Sequence, residues 1–412
     1  MELSGGYVYM ARVGEKLGVQ FGAVAVLVLA VACAGSESET VKQREPVDAG
    51  DQAAWIAAAP AEVGLDADKL EAAREYGFRA EFYTQAIVVI RHGYLAAEWY
   101  AEDSGPELRG ASWSVAKSIT ATLIGQTIAD GLIASVDVTM GTWVPEWTDA
   151  ARAPIKLKDV LAMSSGLDWI EDYEGVQGEE GTSDVAEMVI VPDALRVAID
   201  QPVRDPAGEV WSYSSGDTML LGRALRAATG KTAADLVQEK LAVPMHMDSL
   251  RWWRDAQGET YTFCCADATA RDFAKFGQLY LQGGVWGGAQ LVPTDWIVAA
   301  SSPQASANPG YGYQWWLNHP ETTSGNWPSL PQSTYFALGH NGQYIAIFPD
   351  LDMVVVRLGQ YVQPDTTDWV ATNGLLAAGI YSDNMGPTGT RAPEGDWDED
   401  EFFRLFVEAI VE

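Results

Sequence analysis

The segment from Val115 to Ile128 is apolar almost all round, which predicts a helix that lies in the core rather than on the surface. Lys117 breaks this pattern. Burying an ammonium is unfavourable unless the ammonium is paired, or unless its pKa falls until the amine is neutral. We therefore expect Lys117 to be either paired with another group or neutral.

Apolar runs elsewhere predict a sheet built from both ends of the chain. "QAIVVIRHGYLAAEWY" predicts a hairpin that turns at His92-Gly93, and "FALGHNGQYIAIFPD" with "MVVVRLGQ" predicts another around Pro349-Asp350. The text from about Asp130 to Ser249 is helical and rich in loops. We therefore expect an α+β fold in which an antiparallel sheet is flanked by helices and a helical lobe is inserted in the middle.

Three further helices are predicted outside that middle region. "AEVGLDADKLEAAREYG" favours a helix capped by Asp66. "TTDWVATNGLLAAGIY", residues 366–381, predicts a late helix. The acidic end, "DWDEDEFFRLFVEAIVE", places apolar residues at helical spacing behind an acidic first turn and predicts a terminal helix.

The domain organisation that follows has four parts. Residues 1–33 are a leader and residues 34–60 a flexible tether. Residues 61–130 and 250–412 form the sheet lobe, and residues 131–249 form the helical lobe.

The leader indicates export. Arg12 and Lys16 precede an apolar run, Phe21 to Cys33, that is too short to span a bilayer comfortably and is typical of a secretory signal. Its end, Ala30-Val31-Ala32-Cys33, resembles a bacterial lipoprotein cleavage box, in which Cys33 becomes the lipidated first residue. The expectation is secretion across the inner membrane to the periplasm or cell surface, with this lipid anchor as the membrane contact. Plain secretion is the alternative.

Charge restricts the partners. The 412 residues hold 26 Lys plus Arg against 57 Asp plus Glu, a formal net charge of -31, which repels nucleic acid and anionic headgroups. Adjacent cysteines rarely satisfy disulfide geometry, so Cys264 and Cys265 are expected as small, unbridged core residues. No metal site and no cofactor are predicted.

Ser114 and Lys117 form the first candidate chemical element. At the start of a helix their spacing places both side chains on one face. A serine hydroxyl becomes a good nucleophile when a desolvated lysine of lowered pKa takes its proton, and the helix N-terminus favours a developing oxyanion. A chance S-x-x-K on a surface helix is the alternative, which the apolar surroundings make less attractive.

The second element is "WSYSSGD", which contains Tyr213 and Ser215. A tyrosine near Lys117 would share the proton transfer, its phenolate favoured by the ammonium. An ordinary capping loop with a packed tyrosine is the alternative.

The third element is "LGHNGQYIAIF". Gly342 suggests close approach of another group to the backbone, and an edge strand here would offer the Gln343 N–H as a second oxyanion donor. His340 is either part of this site or a structural histidine. A G-x-S-x-G nucleophile turn is not present in the sequence.

The motifs S-x-x-K, Y-x-S and H-x-G in this order resemble the serine β-lactamase and penicillin-recognising superfamily, in its class C-like branch. The likeness is closest to 6-aminohexanoate-dimer hydrolases, through "WSVAKS", "MSSGLDWIEDY", "TARDFAKFGQLYLQGG", "YQWW" and "QPDTTDW", and covers Leu65 to Tyr381. It implies a β-lactamase/transpeptidase-like fold. It also implies Ser114 as the acylated nucleophile, Lys117 as its proton acceptor and Tyr213 as the acid/base for the leaving group and the deacylating water.

The same resemblance implies that Tyr173 contacts the substrate amide. Ser215 stands where β-lactamases have asparagine and His340 where they have lysine, which puts recognition of a substrate carboxylate in doubt. We therefore expect a serine hydrolase acting on small amides or esters. The alternatives are a β-lactamase or D-alanyl-D-alanine carboxypeptidase acting on cell-wall peptides, and a non-catalytic ligand sensor. The oligomeric state is not predicted.

Overall fold

The computed structural model describes residues 47–48, 54–173, 183–305, 307–322, 326–361, 367–375 and 392–411. The predicted leader, with Cys33, lies outside these residues, as does most of the predicted tether. Within the described residues, no helix combines the length and apolarity needed to cross a membrane.

The strands are β1 (Thr84–Arg91), β2 (Tyr94–Tyr100), β3 (Arg109–Gly110), β4 (Arg251–Trp252), β5 (Ala266–Thr269), β6 (Val285–Trp286), β7 (Ala289–Gln290), β8 (Trp316–Leu317), β9 (Tyr335–Gly339), β10 (Gln343–Phe348) and β11 (Met353–Gly359). A six-stranded antiparallel sheet has the order β2-β1-β11-β10-β9-β8. Strands from both ends of the chain thus pair at its centre, as predicted. A smaller sheet has the order β3-β5-β4.

The helices are α1 (Ala67–Gly77), α2 (Val115–Ala129), α3 (Leu157–Leu161), α4 (Asp184–Ile190), α5 (Ala194–Asp200), α6 (Ser215–Thr229), α7 (Ala233–Val237), α8 (Ala270–Leu281), α9 (Thr294–Ala300) and α10 (Glu399–Glu408). The end of α7 continues as a π-helical turn, Gln238–Ala242. Asp66 caps α1 by accepting from two backbone N–H groups, as predicted. Helices α3 to α7 fall within the span assigned to the helical lobe, while the two-lobe division itself stays a prediction.

Both faces of the large sheet are buried, and β1 shows how. Its side chains alternate, so Ile87 and Val89 join a core with α1 and α10, whereas Val88 and Ile90 join the main core with α2 and α8. This antiparallel sheet with helices on its faces is the predicted α+β class. The terminal helix is also confirmed, because Phe402, Phe403 and Phe406 of α10 are fully buried.

The turn between β1 and β2 forms where the sequence predicted. His92 and Gly93 both have left-handed backbone conformations, with φ of 54° and 78°. Turns of this hand match the twist of an antiparallel hairpin. The second predicted hairpin, β10 to β11, turns through Pro349–Leu351.

Two expectations about local structure are wrong. The predicted late helix does not form in its described part, residues 367–375, where Val370 pairs with Arg254 in a parallel bridge and turns follow. Cys264 and Cys265 are buried as expected but are joined by a disulfide. Cys265 has a left-handed φ of 68°, which turns the chain at the bridged pair.

Candidate active site

Ser114 lies at the N-terminus of α2, in the capping position just before Val115. Its side chain is partly exposed, whereas the helix behind it is buried. The preceding residue, Trp113, has a φ of 45°, a left-handed conformation that a bulky side chain rarely adopts. The chain thus accepts a costly backbone conformation at the residue that presents Ser114.

Lys117 is only 1% exposed, and its amine has three hydrogen-bond partners. Nζ lies 3.0 Å from Ser114 Oγ, 3.0 Å from Ser215 Oγ and 3.2 Å from the carbonyl oxygen of Phe263. Desolvation lowers the pKa of Lys117 to about 8, against the opposing effect of the Glu171 charge. The unusual lysine in the apolar helix is therefore a buried amine that touches a serine hydroxyl.

Tyr213 completes a group of three side chains. Its phenol is hydrogen-bonded to Ser114, and Lys117 Nζ lies 4.9 Å from the centre of its ring. Desolvation raises the pKa of Tyr213, and the negative charge of Glu171 raises it further. The expectation that the Lys117 ammonium favours a phenolate is therefore wrong: near neutral pH this group is a phenol, a proton donor.

Ser215 is the first residue of α6, and its hydroxyl links Lys117 to a residue that sequence reasoning missed. Ser215 Oγ donates to Glu171 Oε1 at 2.5 Å, and Ser215 N donates to Glu171 Oε2 at 2.8 Å. The same carboxylate accepts from Trp169 Nε1 at 2.5 Å and from the Tyr173 hydroxyl. A glutamate in a polar loop gave no sequence signal that separates it from a solvated one.

Two groups of aromatic rings are connected to the Ser114 segment. Tyr173 stacks on His340 with ring centres 4.9 Å apart, and the ring of Trp113, the residue before Ser114, lies 4.8 Å from His340. Tyr213, which is hydrogen-bonded to Ser114, stacks on Trp316 at 5.5 Å, and Trp211 and Tyr311 pack beside them. Burial lowers the pKa of His340 to about 4, so its imidazole is neutral at physiological pH.

The third predicted element is placed differently from the expectation. Strand β10 is internal to the sheet, between β9 and β11, and Gln343 at its start is fully buried, so an edge-strand N–H at Gln343 is wrong. Instead, Gly339, the last residue of β9, packs against Ser112 and Trp113. A Cβ built on Gly339 would lie 2.4 Å from the carbonyl oxygen of Ser112 and 3.2 Å from Trp113 Cβ.

Gly342 does permit a close approach, as predicted, but the group that approaches is Arg357. A Cβ on Gly342 would lie 2.1 Å from Arg357 Nη1, and φ at Gly342 is +78°. The missing side chain at Gly342 therefore makes room for Arg357 and not for a substrate. Across the described residues, no three His, Cys, Asp or Glu side chains are grouped to hold a metal ion.

The protein-family model described as Beta-lactamase matches residues 72–377. The chain belongs to the Beta-lactamase family. The 6-aminohexanoate-dimer hydrolase of Paenarthrobacter ureafaciens is 26% identical over 314 residues, which cover 70% of this chain and 76% of that enzyme. The predicted relationship, with 6-aminohexanoate-dimer hydrolases as relatives, is thereby confirmed.

Solved structures confirm the Beta-lactamase fold. A penicillin-binding protein homologue from Caulobacter crescentus superimposes with a TM-score of 0.58 at 16% identity, over 76% of this chain and 94% of that one. A D-stereospecific amidohydrolase from Streptomyces sp. gives a TM-score of 0.52 at 16% identity, over 70% of this chain and 94% of that one. At these identities the likeness concerns the fold alone. The chain is a Beta-lactamase-fold protein whose family and relatives are hydrolases.

Proposed function

We propose that this protein is a serine hydrolase that cleaves amide or ester bonds of small substrates through an acyl-enzyme on Ser114. The observation that supports this most strongly is the contact of Lys117 Nζ with Ser114 Oγ in a buried, apolar setting. A lysine whose pKa lies near 8 is neutral in a useful fraction of molecules at working pH and can act as a general base.

The two neighbours of Ser114 divide the proton chemistry between them. Their pKa values are moved in opposite directions relative to a solvated pair, which favours an amine base and a phenol acid. Neutral Lys117 takes the proton from Ser114 Oγ as the oxygen attacks the carbonyl carbon. The tetrahedral intermediate then collapses, the bond to the leaving amine or alkoxide breaks, and the Tyr213 phenol donates the proton that the leaving group needs.

Deacylation reverses these roles. A water molecule replaces the leaving group and gives a proton to the Tyr213 phenolate as it attacks the acyl carbon, and Ser114 Oγ leaves with the proton returned from Lys117. No metal or cofactor is required by this sequence of steps.

The developing oxyanion needs backbone donors. Ser114 at the N-terminus of α2 supplies one N–H in the region of positive helix potential. Because Gly339 packs on Ser112 and Trp113, we assign the second donor to the backbone N–H of His340, the next residue after β9, instead of Gln343.

The substrate class is argued from the side chains beside Ser114. His340 is neutral at physiological pH, and the carboxyl group bonded to Ser215 is that of the acidic Glu171. Neither group favours a substrate carboxylate next to the scissile bond, whereas the aromatic rings stacked on His340 and on Tyr213 favour apolar acyl or leaving groups. We therefore propose uncharged amides and esters in preference to β-lactams or cell-wall peptides.

A panel of a p-nitrophenyl ester, a p-nitroanilide and nitrocefin on the purified protein tests the function, with Ser114→Ala as the matched control. Turnover of the ester or anilide that is lost in Ser114→Ala supports the proposal. Turnover of nitrocefin together with labelling by a fluorescent penicillin would favour the β-lactamase or carboxypeptidase alternative. Absence of turnover, with no fluorophosphonate adduct on Ser114, would instead indicate a ligand sensor.

We also propose that the enzyme acts in the periplasm or at the cell surface, anchored through a lipid on Cys33. This rests on the sequence of the leader, which lies outside the described residues. Cys33→Ala should move the protein from the detergent-extracted membrane fraction to the soluble exported fraction. An unchanged distribution would contradict the anchor.

A further inference from the structure

We propose that Glu171 is a positioning residue of this site: through Ser215 it fixes the direction of the hydrogen bonds around Lys117, so that the amine lone pair points at Ser114 Oγ. The inference rests on the proposed function, because it assigns a task to a residue that touches neither Ser114 nor a substrate.

The first step concerns Ser215, whose hydroxyl has a single proton to donate. That proton is used in the 2.5 Å contact in which Ser215 Oγ donates to Glu171 Oε1. Ser215 Oγ must therefore accept in its 3.0 Å contact with Lys117 Nζ. The Ser215 hydroxyl is thus held in one direction, donor to Glu171 and acceptor from Lys117.

The second step concerns Lys117 in its neutral form, which has two protons and one lone pair. The carbonyl of Phe263 can only accept, and Ser215 Oγ is already committed to accepting, so both protons are used there. The remaining partner, the hydroxyl of Ser114, is then the group that can donate to the lone pair. That arrangement is what removal of the Ser114 proton requires.

The third step concerns what holds Glu171 itself. Besides the hydroxyl of Ser215, three groups donate to the Glu171 carboxylate: the indole N–H of Trp169, the hydroxyl of Tyr173 and the backbone N–H of Ser215. Four donors directed at one carboxylate leave it little freedom to rotate. Tyr173, predicted to contact substrate, is thus also part of the support for Glu171.

Glu171 has a second, electrostatic effect on the base. Its negative charge raises the pKa of Lys117, in opposition to the larger lowering caused by burial. Removing that charge should make Lys117 neutral at lower pH while freeing Ser215 to donate to the lone pair. The change in the pKa of Lys117 moves the acid limb of the pH profile, whereas the freed Ser215 hydroxyl lowers its plateau.

The effects of the other titratable groups of the site must be separated from that of Glu171. Tyr213 and Tyr311 have raised pKa values and are neutral phenols, and His340 is a neutral imidazole above about pH 4. Burial raises the pKa of Asp217, on the same helix as Ser215, to about 8, close to that of Lys117. Asp217→Asn therefore belongs in the experiment.

The experiment measures kcat/KM for p-nitrophenyl acetate from pH 6 to 10 in variants of the full chain. In Glu171→Gln we expect the plateau to fall about ten- to a hundredfold, the loss typical of one charge-assisted hydrogen bond, and the acid limb to move to lower pH. Glu171→Asp retains the charge and should keep the limb in place with a smaller plateau loss. Asp168→Asn removes an exposed charge from the same segment and should change neither.

A double variant tests whether Glu171 acts through Ser215. If it does, Glu171→Gln should lower the plateau by no more than about twofold in a Ser215→Ala background, because coupled residues are not additive. Losses that multiply would overturn the proposal, and so would a wild-type plateau and limb in Glu171→Gln. Disappearance of the limb in Asp217→Asn would assign it to Asp217 and equally contradict the account. An inactive Ser114→Ala alongside a normal Glu171→Gln would refute this inference alone, whereas an active Ser114→Ala would refute the proposed function.

Discussion

The guanidinium of Arg357 donates a hydrogen bond to the carbonyl of Gly342, in the turn that carries His340 to the rim of the site. Arg357 is fully buried and also donates to the carbonyl of Phe82 and the hydroxyl of Thr84. The ring of Trp397, from the segment before α10, lies 4.5 Å from the guanidinium carbon. Arg357, a buried cation, therefore holds the turn that contains His340 in place.

Arg357→Met should lower both stability and activity. The change leaves three acceptors without their donor, for which a loss of about 3 kcal/mol in the free energy of unfolding is expected. Urea denaturation measures that loss, and kcat/KM for a p-nitrophenyl ester should fall with it as the His340 turn shifts. A stable Arg357→Met protein with unchanged kcat/KM would show that the turn does not depend on Arg357.

Gly342→Ala should be more destabilising than the same change at Gly131. Both glycines have positive φ, +78° and +74°, but a Cβ at Gly342 would meet Arg357 Nη1 at 2.1 Å whereas Gly131 has no atom within 4 Å. The backbone penalty of about 1 kcal/mol is shared, so the difference between the two melting experiments isolates the clash. Equal losses would mean that Arg357 can move aside.

The pH dependence of the wild-type enzyme follows from the direction of the Lys117 shift. The base must be neutral to accept a proton, and its pKa is lowered to about 8, so kcat/KM should rise as pH increases through about 8 and level off above it. Initial-rate measurements with p-nitrophenyl acetate, with the rate of spontaneous hydrolysis subtracted at each pH, check this. A profile that falls over the same interval would contradict Lys117 as the base.

The acidic terminal helix should be required for stability. Phe402 is fully buried against the outer face of the sheet, so Phe402→Ala should cost about 3–5 kcal/mol of unfolding free energy. Val298→Ala, at a residue that is 59% exposed, is the control and should change stability by no more than about 0.5 kcal/mol. Similar losses of unfolding free energy in the two variants would indicate that α10 is not required for stability.

Two kinds of feature could be predicted from the sequence: those set by the spacing of nearby residues, and the burial of a charged lysine in an apolar helix. Lys117 in an apolar helix could be recognised because burying an ammonium without a partner is so costly, and its separation from Ser114 is fixed by helix geometry. The hairpin turn at His92-Gly93 and the helix cap at Asp66 could also be predicted, because each depends on residues that are close in the sequence. Tyr213 was found through a motif, and the structure then brought it to Ser114.

What the sequence missed depends on pairings between distant segments. Whether β10 is an edge strand depends on β9 and β11 pairing on its two sides, so Gln343 could not be judged from its own neighbours. The late helix does not form in its described part, residues 367–375, where Val370 pairs with Arg254, more than a hundred residues earlier. Glu171, in a loop, is linked to the site through Ser215, which begins α6 and lies 44 residues later in the chain.

The most direct test is intact-protein and peptide mass spectrometry after rapid mixing with p-nitrophenyl acetate and acid quenching. Our account predicts one acetyl group per chain, located on the peptide that contains Ser114 and absent from Ser114→Ala. An acetyl group that persists in Ser114→Ala, or undiminished turnover by that variant, would contradict it.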